Sequence, residues 1–164
     1  LLYCVGWRGL AVDADSHYLP LYAEVRPKDT VRNFAIAKTP GTATLLLFEG
    51  RSMNTLDPAI AARYEAETTA TRAGTCEVEV RRLDQLLEET GLEHVDFLNV
   101  DVEGCDLGVL ESGNWQRWQP QIIAIEDQHI DLAAPQRSEI YRFLDERAYY
   151  LHSQCHHTSV YCRR

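Results

Sequence analysis

The sequence predicts one α/β domain, residues 1–164, built on a mostly parallel sheet. Two observations lead there. Short apolar runs end in an acid at Leu10-Ala11-Val12-Asp13, at Phe97-Leu98-Asn99-Val100-Asp101 and at Ile122-Ile123-Ala124-Ile125-Glu126. Between them lie stretches with apolar residues at helical spacing, and strands alternating with helices argue for parallel pairing. The length suits a single core, and with 45% hydrophobic and 25% charged residues the chain has the composition of a packed domain.

Taken in order, Leu1-Leu2-Tyr3-Cys4-Val5 reads as the apolar end of a helix under way before Gly6, so further sequence is expected upstream of Leu1. Leu10 to Asp13 is a buried strand emerging at a carboxylate. Ser16 is placed to cap a helix running to about Val25, stopped by Arg26-Pro27-Lys28-Asp29. A strand is expected from Thr30 to Ala37, then the turn Thr39-Pro40-Gly41-Thr42 and a strand from Ala43 to Phe48. Glu49 to Thr75 is polar and reads as an insertion or lid-like segment, with a short helix at Pro58 to Glu65. Met53 and Ser52-Asn54-Thr55 would lie in that segment over the cleft.

Glu77-Val78-Glu79-Val80 alternates as an exposed strand does, and Leu83, Leu86 and Leu87 mark a helix face ended by Gly91. Val95 to Val100 is the next strand, Asp101 to Gly104 a turn, and Cys105 to Ser112 a helix with Gly113 as its C-terminal cap. After the strand ending at Glu126, Pro135 opens a helix with Ile140, Phe143 and Leu144 on one face. Tyr149 to Ser153 and Thr158 to Cys162 form a closing hairpin.

Charge and composition narrow the function. Acidic residues outnumber basic ones 25 to 16 and the basic ones form no stripe, which argues against nucleic acid. No apolar run approaches the roughly 20 residues of a membrane span, and no signal peptide opens the sequence, so no membrane role is expected and the default location is cytoplasmic. The five cysteines are scattered without CxxC spacing, which suits reduced thiols. His152, Cys155, His156 and His157 lack a second ligand cluster, and a polar hairpin turn accounts for them better than zinc. Trp115 and Trp118 suit either an acceptor pocket or loop packing.

The acids Asp13, Asp101, Glu103 and Glu126 should meet at one sheet edge, where ligands of parallel sheets bind. Carboxylates gathered there cost desolvation energy unless they serve a ligand, a metal or a proton transfer. Asp13, at a strand end that leads into a helix, suits bonding to the two hydroxyls of a nucleoside ribose. Asp15 suits the helix start.

The segment Val95-Asp96-Phe97-Leu98-Asn99-Val100-Asp101-Val102-Glu103-Gly104, followed by Val109-Leu110 in a helix, resembles the Asp-x-Glu-Gly motif of FkbM-type methyltransferases. Gly6-Trp7-Arg8-Gly9, Arg26-Pro27, Asn33-Phe34-Ala35-Ile36 and the ending Ser159-Val160-Tyr161-Cys162-Arg163-Arg164 support it in the same order. Asp106 stands where the family usually has a glutamate.

The resemblance implies a Rossmann-like class I methyltransferase fold using S-adenosylmethionine. The first strand and glycine loop would lie upstream of Leu1, and the chain would be a fragment that binds cofactor poorly alone. It implies Asp13 as ribose ligand, Asn33 and Ala35 near the adenine, and Asp101 near the sulfonium and acceptor. An alcohol acceptor, whose pKa lies close to that of water, needs a base or a metal. Glu103 and Glu126 are candidate bases, and with Asp101 they could instead hold a divalent metal through oxygen ligands. The base is preferred and no metal is predicted. The expected activity is O-methylation of a sugar, glycan or secondary metabolite. The rival reading is a non-catalytic module serving as an interaction domain, and a nicotinamide-dependent enzyme ranks last.

Overall fold

The computed structural model describes residues 2–128 and 130–164. Nine strands and five α-helices lie along the chain among these residues. A 3₁₀ turn at Leu2–Val5 precedes strand β1 (Leu10–Val12), which pairs in parallel with β2 (Thr30–Arg32). The opening apolar run, read as the end of a helix, is a single 3₁₀ turn from Leu2, and Leu1 lies outside the described residues.

The expected strand from Thr30 to Ala37 is two strands. Asn33 and Phe34 interrupt it, and β3 (Ala35–Ile36) joins a different sheet, pairing in parallel with β5 (Arg72–Arg81). Strand β4 (Gly41–Phe48) runs antiparallel to β5 along nearly its whole length. Leu45 packs with Val78 and Val80 on one face of β4, while Leu46 and Phe48 pack with Ala61 and Tyr64 on the other. That is the two-residue alternation of a strand covered on both faces. Helix α2 (Pro58–Glu67), capped by the Asp57 carboxylate and opened by its proline, supplies the second cover.

The third sheet has the order β6 (Phe97–Val100), β7 (Ile122–Glu126), β9 (Thr158–Arg163), β8 (Tyr149–Cys155). Only β6 and β7 are parallel in it. The sheets are therefore mixed rather than mostly parallel: β4/β5, β7/β9 and β8/β9 are antiparallel. An apolar run tells that a strand is buried, but not which way its neighbour runs. β1 and β6 each have a single strand partner among the described residues.

Ile123 and Ile125 of β7, Tyr161 of β9 and Tyr149 of β8 form the main core with α3 (Leu83–Glu89), α4 (Asp106–Glu111) and α5 (Glu139–Asp145). Trp118 is buried in this core, and Trp115 stacks edge-on against Phe143 and Tyr149 while its indole N–H donates to Leu110 O at 2.7 Å. Both tryptophans serve packing. No helix is long and apolar enough to cross a membrane among the described residues.

Three helix ends differ from the sequence reading. Asp15, not Ser16, caps the first helical segment, a 3₁₀ turn (Ser16–Tyr18) running into α1 (Leu19–Val25). Pro135 opens only a 3₁₀ turn, and Ser138 caps α5. Gly113 is not left-handed as a C-terminal cap glycine would be, whereas Gly91 is, at φ 68°. Gly113 instead lies where an added Cβ would meet Trp115 Nε1 at 3.2 Å.

The start of α3 is capped from another helix. Arg82 holds the cap position without a side-chain bond, and Leu83 N donates to Ser112 Oγ at 3.0 Å, just past the end of α4. Asp84 N donates to Ser112 O at 3.1 Å, and the hydroxyl itself donates to Val109 O at 2.7 Å. Ser112 is wholly buried. Replacing it with Ala leaves the Leu83 N–H in a dry site, an expected loss of about 1–3 kcal/mol read from urea unfolding; an unchanged midpoint would show that the cap is dispensable.

Candidate active site

The chain leaves β6 into a turn that Asp106 shapes. The Asp106 side chain, 3% exposed, accepts from Val102 N at 3.2 Å and Gly104 N at 3.1 Å, closing the turn onto the first residue of α4. Within the turn Glu103 (φ 53°) and Gly104 (φ 92°) are both left-handed. Glycine accepts this freely, whereas a glutamate there costs on the order of 1–2 kcal/mol. Two contacts from the segment before and in α2 hold it. Thr55 Oγ1 donates to Glu103 O at 2.8 Å, and the Tyr64 hydroxyl donates to the Glu103 carboxylate. Helix α2 sits so close that a Cβ on Gly104 would lie 2.7 Å from Ile60 Cγ1.

This turn and the end of β7 bring four acids into one electrostatic group: Asp101, Glu103, Asp106 and Glu126. Burial pushes Glu103 up to about 7, against the Tyr64 hydrogen bond, with Glu126, Asp101 and Asp106 adding to the rise. Asp106 reaches about 6, again chiefly by burial. Asp101, at the open rim, is raised by partial desolvation and by Glu126. Tyr64 is pushed up to about 12 by burial and its carboxylate partner, so it stays a donor at neutral pH. Glu126 Oε1 accepts from Gln128 Nε2 at 3.0 Å, Gln128 Oε1 accepts from Arg63 Nη2 at 2.6 Å, and Glu126 Oε2 is buried without a hydrogen-bond partner among the described residues.

Asp13 stands outside this group, but its own surroundings suit a ligand. Its Oδ1 accepts from Asp15 N at 2.8 Å, and its Oδ2 has no hydrogen-bond partner among the described residues. Asn33 lies beside it and spends its Nδ2 on Asp13 O at 2.8 Å and Ala14 O at 3.0 Å, bracing the turn after β1. Ala35 is buried behind that turn with Ala14 packed against its cluster, so only its backbone could meet a ligand.

The segment read as lid-like joins the two halves. Arg51 and Asn54 reach the Asp15 carboxylate, and Thr55 and Tyr64 reach Glu103. Tyr64, Gln128 and Arg51 were not singled out from sequence, and Asn54 was read only as part of the segment over the cleft. Apart from the short Gln128–Glu126 and Asn54–Phe48 links, their side-chain hydrogen bonds reach partners 36 or more residues away, and no local pattern marks them.

No three of the His, Cys, Asp and Glu side chains among the described residues are grouped to hold a metal ion, neither the strand-end acids nor the histidines of the β8/β9 turn. A groove of about 650 Å3 lined by Pro40, Glu79, Arg81, Gln85 and Glu89 shares no residue with the acids.

Carboxylates gathered at strand ends of an α/β fold, one of them raised to about 7, are groups that can hold a ligand or carry a proton. The chain belongs to the FkbM methyltransferase family: the methyltransferase FkbM domain model matches residues 3–151. No curated protein and no solved structure matches the chain.

The raised acids make stability pH-dependent. Glu103 and Asp106 hold protons more tightly folded than unfolded, so their stabilising contribution is complete below their ordinary values and is lost as pH rises through about 6 and 7. The thermal midpoint of the full-length protein should therefore fall between about pH 4.5 and 7. Glu103→Gln should flatten that fall; an identical slope would show that Glu103 titrates normally.

Proposed function

We propose that the protein is an S-adenosylmethionine-dependent O-methyltransferase acting on a hydroxyl of a sugar, glycan or secondary metabolite. Glu103 carries this reading: a left-handed residue in the Asp-x-Glu-Gly turn, hydrogen-bonded by Tyr64 and pushed up to about 7. A base poised near the working pH both accepts a proton and releases it again.

S-adenosylmethionine would supply an activated methyl group on a sulfonium. The unpartnered Asp13 Oδ2 suits the ribose hydroxyls, with Asn33 steadying the turn and Ala35 offering backbone beside the base. The parallel pairs β1/β2 and β6/β7 then belong to a Rossmann-like arrangement with ligand at the strand ends. Asp101 complements a cationic sulfonium electrostatically; this attraction fades as positive charge leaves, so it orients more than it accelerates.

The chemical demand is alignment of acceptor oxygen with the methyl, and removal of the hydroxyl proton as the new bond forms. Glu103 takes that proton. Tyr64 fixes the carboxylate's direction, and Glu126 keeps Glu103 basic by repulsion. Gln128 and Arg63 hold Glu126 in place from the other side.

The test is transfer of a radiolabelled methyl group to a panel of glycans and small hydroxyl compounds by the full-length protein. Glu103→Gln should cut turnover about 100-fold or more, in the range typical of a lost general base, with S-adenosylhomocysteine affinity retained. Unchanged turnover would remove Glu103 from the mechanism. A protein that binds no S-adenosylhomocysteine would instead be an interaction module.

A further inference from the structure

Arg51 has a conformation that the turn alone does not explain. After β4 the chain reverses through Gly50 (φ 78°) and Arg51 (φ 62°). The first is a glycine, as such a backbone favours; the second is a long side chain in the same left-handed region, where glycine or asparagine would be at ease. Strain of this kind persists only where surrounding contacts over-determine it.

Those contacts converge on Asp15. Arg51 Nη1 meets Asp15 Oδ1 at 2.9 Å and Oδ2 at 2.6 Å, and Asn54 Nδ2 donates to Oδ2 at 2.8 Å. The carboxylate also accepts from His17 N at 3.0 Å, and Asp15 is 6% exposed. Burial works against its charge, but the His17 N–H and the Arg51 guanidinium outweigh it and hold the carboxyl below its ordinary value. Asp15 in turn donates its backbone N–H to Asp13 Oδ1.

The relay therefore ends on the one carboxylate of this turn whose second oxygen is unpartnered. It has an electrostatic side as well: burial raises Asp13, the hydrogen bond from the Asp15 N–H lowers it, and the Asp15 charge raises it again.

We propose that Arg51, aided by Asn54, is a positioning residue of the cofactor site. It locks Asp15, and through the Asp15 backbone N–H it holds Asp13 with one oxygen committed and the other left for the ribose hydroxyls. This rests on the reading of Asp13 as ribose ligand. The same segment reaches Glu103 through Thr55 and Tyr64, so the strap that braces the base also braces the ribose acid.

Calorimetric titration of the full-length protein with S-adenosylhomocysteine tests it. Arg51→Gly removes the guanidinium while relieving the left-handed backbone, so the thermal midpoint should stay close to that of the parent while Kd rises about tenfold. Asp15→Asn, which keeps the shape and loses the charge, should weaken binding similarly. The double variant should be no worse than Arg51→Gly alone, because both act through one contact.

Competition with adenosine and 2′-deoxyadenosine supplies a readout that a merely structural tie would not move. The parent should prefer adenosine, and Arg51→Gly should lose most of that preference. If Asp13→Ala weakens binding but Arg51→Gly and Asp15→Asn leave affinity and the adenosine preference intact, the role of Arg51 is overturned and the ribose reading stands. If Asp13→Ala leaves affinity unchanged, the ribose reading falls and the proposal with it.

Discussion

The site depends on two backbone N–H groups donating to one buried carboxylate. Asp106 accepts from Val102 and Gly104, and the turn between them must then pass through two left-handed residues to reach α4. That path turns Glu103 toward α2 and leaves Asp101 at the open strand end. A glutamate in place of Asp106, as the family usually has, adds one methylene to a bond that spans only two to four residues. The shorter side chain here closes the turn onto the first residue of its own helix.

Proximity of the acids has a thermodynamic cost that the surrounding elements offset. Burial raises Glu103 and Asp106, the charges of neighbouring acids add to the rise, and donors from other segments offset part of it. Tyr64 of α2 and Gln128 are those donors, while Thr55 in the loop before α2 holds the Glu103 backbone carbonyl. Their helix and loop fold back over the turn because Leu46 and Phe48 need cover on the second face of β4. Core packing and site chemistry thus make the same demand of α2.

Much of this was legible in the sequence. Strand-end acids, the α3 face of Leu83, Leu86 and Leu87, and the closing hairpin follow from apolar runs and their periodicity, and the Asp-x-Glu-Gly turn stood out by its resemblance to the FkbM motif. The direction of neighbouring strands was not legible, since Leu45-Leu46-Leu47 reads as buried whether its partner is parallel or antiparallel. Nor were the long-range ties. Arg51 sits in a polar stretch that resembles any surface loop, and only its partner 36 residues earlier gives it meaning. Ser112 looked like the last residue of a helix, and nothing local says that it caps another.

That last tie bears on how the protein breathes. A helix end ordinarily frays alone, releasing its first amides to solvent within its own local equilibrium. The first amide of α3 is held by the hydroxyl that follows α4, so it is freed only when the two helix ends part. The Leu83 and Asp84 amides are therefore tied to the separation of α3 from α4, which couples the opening of the two helix ends beside the turn that carries Glu103.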